Sequence, residues 1–239
     1  MRAIRGVVLA GGSGSRLHPL TKTTNKHLLP VGDVPMVYHP VRRLVEAGIH
    51  EVLVVTGVHH VGAIMNQLGS GAEFGCRFTY RVQDRAGGIA EALGLAEDFA
   101  RGGPVAVVLG DNVFDAPLRP LLDDWERSGK RSMILLKRAP DPERFGVARF
   151  ENGFIAEVVE KPTTAPSPFV VTGIYFYESD VFAIVRGLEP SARGELEISE
   201  VNTAYIRAGA MHVGELPGEW TDAGTHESYR RANLQVHRS

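Results

Sequence analysis

The chain has little that would staple, anchor or polarise it. Among its 239 residues there is one cysteine, Cys76, so no internal disulfide can form. That suits a reducing compartment. Charge of neither sign dominates: 26 Lys and Arg stand against 28 Asp and Glu, a formal net charge of −2. This gives no electrostatic case for nucleic acid or for an acidic membrane surface. No apolar run approaches the ~20 residues of a membrane span. Arg2, Arg5 and the apolar run after them have the start of a signal peptide, but Gly11-Gly12 ends the run where an h-region should continue. The nine histidines fall into no metal-ligand spacing, and there is no internal repeat or low-complexity tract. A cytoplasmic soluble protein is expected.

What is present begins with that first apolar run. Val7-Val8-Leu9-Ala10 reads as a buried strand that empties into Gly11-Gly12-Ser13-Gly14-Ser15, and Arg16 follows at once. Glycines let backbone N–H groups approach an anion with no Cβ in the way. The arginine adds a fixed charge and a forked donor for phosphate oxygens. Neither of two better-known phosphate loops fits. No Lys-Ser or Lys-Thr follows at Walker A spacing, and in Gly-x-Gly-x-x-Gly register Gly12 and Gly14 match but position 17 is Leu17.

Apolar runs then alternate with helical spacing. Strands are predicted over residues 6–10, 52–56, 78–82 and 105–109, and helices over 37–47, 59–68 and 89–99. The run 105–109 is apolar throughout, as in a strand buried on both faces. This rhythm predicts an α/β, Rossmann-like fold: a mixed, mainly parallel central sheet flanked by helices. The second half changes character. Strands are predicted over 132–137, 147–150, 154–160 and 170–177, with Asn152-Gly153 as a hairpin turn and a helix over 200–208. Ligands of such folds bind at the carboxyl ends of the strands, and Asp111 follows the run 105–109 after one glycine.

The full set of motifs resembles the sugar-1-phosphate nucleotidyltransferases, and among them the short-form branch that transfers thymidylyl groups. The resemblance rests on Leu9 through Leu17, on Lys26-His27-Leu28-Leu29-Pro30, on Pro35-Met36-Val37-Tyr38, on Gln83 through Leu93 and on Leu109-Gly110-Asp111-Asn112. It continues through Glu143-Arg144-Phe145-Gly146-Val147, Glu160-Lys161-Pro162, Val171-Thr172-Gly173-Ile174-Tyr175, Gly194-Glu195-Leu196-Glu197-Ile198 and Trp220 through Thr225. It implies one nucleotidyltransferase domain over residues 1–239, with a nucleotide-binding half at 1–130 and a sugar-binding half at 131–239.

The resemblance also implies roles. Arg16 and Lys26 meet the nucleotide phosphates, Lys161 meets the phosphate of the sugar, and these three with Asp111 form the catalytic set. Leu9, Gly11, Gly12, Ser13, Gly14, Ser15, Gln83, Gly88 and Asp111 contact the nucleotide. Gln83 carries a side-chain amide, which can donate and accept at once along the edge of thymine or uracil. Gly146, Glu160, Lys161, Val171 and Tyr175 contact the sugar phosphate. Asp111 and Asp222 hold Mg²⁺, a cation that takes one or two carboxylates and completes its shell with water and phosphate oxygens. The implied substrates are dTTP and α-D-glucose 1-phosphate, in a homo-oligomer, with neither nucleic acid nor membrane as partner. Asp84-Arg85-Ala86-Gly87 departs from the Pro-Ser-Pro-Asp of longer relatives, and Phe145 stands where those have Tyr. Uridylyl transfer, another hexose 1-phosphate, or a non-catalytic sugar-nucleotide sensor are the competing readings. Trp220 and Tyr229 are expected in the core.

Overall fold

Strands that are apolar on both faces must be sandwiched by helices, and this chain does so around one nine-stranded sheet. The computed structural model describes residues 3–237. Its first half contains strands β1 (Arg5–Ala10), β2 (Pro30–Val31), β3 (Val34–Pro35), β4 (Glu51–Gly57), β5 (Arg77–Gln83), β6 (Val105–Leu109) and β7 (Asn112–Phe114). Between them lie helices α1 (Tyr38–Glu46), α2 (Val61–Leu68), α3 (Ile89–Gly94) and α4 (Glu97–Ala100). The second half adds α5 (Leu118–Ser128), β8 (Ser132–Arg138), β9 (Gly146–Glu151), β10 (Phe154–Glu160), β11 (Phe169–Tyr177), α6 (Val181–Arg186) and α7 (Ile198–Arg207). It closes with β12 (Met211–Glu215), β13 (Trp220–Asp222) and α8 (His226–Val236).

β6, β1, β4 and β5 lie side by side and parallel, in that order. The chain winds outward from β1 through β4 to β5, then returns past β1 to form β6. The order therefore reverses between β1 and β6, and a crevice opens at their carboxyl ends. β11 runs antiparallel to β6 and to β8, and β12 pairs parallel with β8. The β9–β10 hairpin joins through Val147 beside Val170. Alternate residues of β1 serve opposite faces: Val7 and Leu9 pack under α3, α6 and α7, while Val8 and Ala10 pack under α1, α2 and α5.

The predicted strands all form, each within two residues of its expected ends. The helix expected over 89–99 is instead two short helices, α3 and α4, broken at Leu95 and Ala96. Gly94 lies at the break, against α6; a Cβ there would lie 3.2 Å from Val185 Cγ1. Helices α5, α6 and α8 and strands β2, β3, β7, β12 and β13 have no counterpart in the sequence reading. Among the described residues no helix is long and apolar enough to cross a membrane.

Candidate active site

The crevice between β1 and β6 opens into a cavity of about 310 Å³. Leu9, Gly11, Gly12 and Arg16 reach it from the end of β1 and the loop beyond. Gly12 takes a left-handed φ of 97° with nothing near its missing Cβ, so its backbone is open to an approaching group. Ser13, Gly14 and Ser15 do not line the cavity. Gly14 is a turn: its carbonyl accepts from Leu17 N–H (2.9 Å) and Thr21 Oγ1 (2.7 Å). Leu17 is fully buried and anchors the short turn that presents Arg16.

Asp111 sits at the mouth of β6 and is ion-paired with Lys26 Nζ. Burial pushes the Asp111 carboxyl up, but the Lys26 ammonium overrides it and holds the carboxyl well below its ordinary range. Beside them His27 is buried and neutral, its pKa lowered to about 3, first by burial and then by Lys26. Its Nδ1 lies 2.7 Å from Asn25 Oδ1, which also accepts from the His27 backbone N–H at 2.9 Å. The ring packs so closely on Gly110 that a Cβ there would lie 2.7 Å from His27 Cδ2.

Asp222 comes from 111 residues further along the chain. The short β7–β13 ladder brings it in, placing Asp222 opposite Asn112, while Ala223 N–H donates to the Asp111 carbonyl at 2.9 Å. Burial pushes the Asp222 carboxyl up, and the Asp111 charge adds to that shift. Among the described residues no group of three or more His, Cys, Asp or Glu gathers as a metal cage. Two carboxylates, Asp111 buried and Asp222 partly so, whose charges oppose one another fit a hard divalent cation that keeps open positions for water and phosphate. Arg16 flanks Asp222 on one side: a Cβ on Gly224 would lie 3.1 Å from Arg16 Nη2 and 2.8 Å from Asp222 Oδ1.

Gln83 ends β5, with its Nε2 donating to the Gly88 carbonyl (3.1 Å) and to Glu91 Oε1 (3.0 Å). Its Oε1 is turned toward Gly11, where an added Cβ would lie 3.4 Å away. The loop that carries Gly88 is pressed against the Leu196 backbone. Gly88 has φ 98°, and a Cβ there would lie 2.4 Å from Leu196 O.

The remaining wall comes from the second half. Gly146, Glu160, Lys161, Val171 and Tyr175 all line the cavity. Burial raises the Glu160 carboxyl, with Lys161 opposing the shift from 3.5 Å away. Lys161 holds a left-handed φ of 39°, a conformation that costs a side-chain-bearing residue energy. Its backbone N–H donates to the Phe145 carbonyl at 2.9 Å. Burial raises the Tyr175 hydroxyl, so the phenol stays neutral.

The lining residues outside the expected set include Asn112, Trp220 and Arg144. Asn112 is buried at the start of β7; its Oδ1 accepts from Gly173 N–H (3.0 Å) and Trp220 Nε1 (2.6 Å), and its Nδ2 donates to Asp111 Oδ1 (3.1 Å). Trp220 is half-buried on the cavity wall, not in the core, and packs on Phe145 at 5.5 Å between ring centroids. Arg144 pairs with Asp141 and stands over the Phe145 ring. All three lie within motifs that carry the family resemblance, which is the signal that could have found them.

A family model for nucleotidyl transferases matches residues 5–239. The chain belongs to the nucleotidyl transferase family. This nucleotidyltransferase is 43% identical over 233 residues to a glucose-1-phosphate thymidylyltransferase of Actinoplanes sp., covering 96% of this chain and 77% of that relative. It is 40% identical to a relative of the same name in Neisseria gonorrhoeae, over 96% of this chain and 81% of the relative. Among solved structures, it is similar to a Bacillus anthracis protein assigned as a glucose-1-phosphate thymidylyltransferase and crystallised with sucrose, at TM-score 0.92 and 51% identity. That match covers 97% of this chain and 94% of the other. A UDP-glucose pyrophosphorylase complexed with UDP-glucose aligns at TM-score 0.85 and 26% identity, covering 98% and 99% of the two chains.

Proposed function

We propose that this nucleotidyltransferase moves the thymidylyl group of dTTP onto the phosphate of α-D-glucose 1-phosphate, giving dTDP-glucose and pyrophosphate. The observation that carries the reading is the pairing of Asp111 and Asp222 beside Lys26 and Arg16 in a cavity whose far wall holds Lys161. The names of the relatives at about 40% identity support the choice of substrates. Residues 1–130 supply the nucleotide contacts in this reading, and residues 131–239 the sugar contacts.

A phosphate monoester oxygen is the nucleophile and is already an anion near neutral pH, so no general base is needed. It attacks the α-phosphorus; the new O–P bond forms as the bond to the bridging β-phosphate oxygen breaks, and pyrophosphate leaves with that electron pair. What the protein contributes is alignment of two polyanions and neutralisation of their repulsion. Gly11, Gly12 and Arg16 cradle the triphosphate, and Ser13, Gly14 and Ser15 shape that loop. Lys26 is held by Asp111 at the reacting end. Lys161 faces the sugar phosphate, with Gly146, Glu160, Val171 and Tyr175 around the hexose. Asp111 and Asp222 would hold Mg²⁺, which supplies charge neutralisation and orientation of phosphate oxygens. With its Nε2 already engaged, Gln83 offers Oε1 to the N3–H of thymine or uracil, and Leu9 and Gly88 border the base. Cytosine has no N3–H, so CTP is disfavoured.

Uridylyl transfer is the second reading, because Oε1 of Gln83 meets thymine and uracil alike and a UDP-glucose pyrophosphorylase shares the fold. Soluble nucleotide substrates favour a cytoplasmic enzyme. A homo-oligomer, dimer or tetramer, is carried over from the resemblance. The test is pyrophosphate release with Mg²⁺ and glucose 1-phosphate, run in parallel with dTTP, UTP, CTP, ATP and GTP. Release is expected with dTTP, less with UTP and none with CTP. Silence with all five contradicts the reading and favours a sugar-nucleotide sensor. Arg16→Ala should lower kcat/KM by a factor on the order of 100 or more with the fold intact; near-normal turnover would remove Arg16 from this role.

A further inference from the structure

One guanidinium on the cavity wall has a buried nitrogen with no hydrogen-bond acceptor. Arg144 ends the short turn Pro142–Arg144, directly before Phe145 and Gly146. Its Nη1 is taken by Asp141 Oδ2, and its guanidinium lies 5.2 Å from the centroid of the Phe145 ring. The other nitrogen, Nη2, is buried and has no hydrogen-bond acceptor. Asp222 Oδ1 lies 3.6 Å away, beyond hydrogen-bond range, and already accepts from Gly224 N–H at 3.0 Å. A buried guanidinium N–H without an acceptor is costly, and a charged one more so.

The surroundings say which anion would. The Phe145 carbonyl accepts from Lys161 N–H, so Arg144 and Lys161 stand on two backbone segments tied together at 2.9 Å. The Phe145 ring packs on Trp220, two residues before Asp222. Arg144 therefore reaches to 3.6 Å from Asp222 on a segment whose backbone is tied to that of Lys161, while Arg16 flanks Asp222 from the glycine-loop side. A planar guanidinium with a free edge suits a phosphate oxygen better than a point charge does.

The geometry points to Arg144 as a further anion-binding residue, whose free Nη2 takes an oxygen of the sugar 1-phosphate between Lys161 and Asp222. The inference rests on the nucleotidyl-transfer reading and assigns it a second cation on the sugar side. Arg144 moves no proton and forms no bond; it binds and aligns the attacking phosphate.

The test is steady-state pyrophosphate release by Arg144→Gln and Arg144→Lys, with dTTP and glucose 1-phosphate varied separately. Arg144→Gln is expected to raise the KM for glucose 1-phosphate about tenfold or more, the loss of one charge-assisted hydrogen bond, while the KM for dTTP stays within about twofold. Arg144→Lys, which keeps the charge and loses the fork, should recover part of that loss. A merely structural arginine would move both KM values together or lower kcat alone, and either result overturns the inference, as does a rise confined to dTTP or no change at all. Should Arg144→Gln fail to fold, the same split read on Arg144→Lys decides the matter. If the unsubstituted protein releases no pyrophosphate with any nucleotide, the transfer reading itself has failed, which is seen before any variant is made.

Discussion

Single residues in this cavity trade stability for charge placement. Asp222 is the clearest case: burial and the Asp111 charge raise its pKa, so the folded state binds its proton more tightly than the unfolded chain does. A raised carboxyl pKa contributes stability below the unfolded value, and that contribution is lost as pH climbs through the folded one. Ionisation of Asp222 as pH rises therefore opposes folding of the metal-free protein. Asp222→Asn should raise the metal-free Tm at pH 7–8, by about 2–4 °C if some ~1 kcal/mol is relieved. The same substitution should abolish the rise in Tm that Mg²⁺ and dTTP give the unsubstituted protein; calorimetry in both conditions reads both effects. An unchanged Tm without metal would show that Asp222 is not a strained charge. Lys161 is a second case, through its left-handed backbone. Lys161→Gly should be more stable than Lys161→Ala by about 1 kcal/mol, since glycine alone adopts that conformation freely. Both should lose turnover together. Equal stabilities for the pair would mean the φ of 39° carries no strain.

At the scale of elements, the short ladder between β7 and β13 brings the segment of Asp222 beside that of Asp111. It spans three residue pairs, and it places one carboxylate on each strand end of a shared site. Neither strand was legible in the sequence. Three-residue segments such as Asn112–Phe114 and Trp220–Asp222 are too short to show a period. By contrast, the continuous apolar run of β6 and the β-branched run of β4 were read to within a residue, because strands buried on both faces have no other composition to take. Helix α8 was missed although Thr225 and Ser228 form its reciprocal cap. Its buried face is small, with Ser228, Ala232 and Gln235, so the apolar stripe that marks a helix is weak. The carboxylate Asp111 could be placed at the mouth of the sheet from its position after β6; its partner could be named only through the family resemblance. Gly173 holds this assembly from the side of β11. A Cβ there would lie 2.6 Å from the Nδ2 of buried Asn112 and 2.7 Å from the Cγ of partly buried Leu109. Gly173→Ala should thus cost on the order of 1–3 kcal/mol and displace Asn112 from Trp220 and Asp111. Urea unfolding measures the cost; a variant as stable as its parent would mean that β11 can shift without disturbing the site.

Across the whole molecule, the site is assembled from both halves of the chain at the point where the strand order reverses. The glycine loop, Arg16, Lys26 and Asp111 come from the parallel half, and Lys161 and Asp222 from the antiparallel half and the segment that returns to it. The proposed reaction needs no nucleophile from the protein: the cations Arg16, Lys26 and Lys161 and the carboxylates Asp111 and Asp222 line the cavity in which two phosphates would meet. The histidine nearest the centre, His27, is buried, neutral and committed to Asn25. The central claim is therefore a single direct displacement at phosphorus, with the protein acting only by alignment and charge. The most direct measurement is the stereochemical course of the reaction, using dTTP that carries one sulfur of known configuration on its α-phosphorus. The account predicts inversion in the dTDP-glucose product. Retention would require two displacements through a covalent nucleotidyl-protein intermediate, and would contradict it.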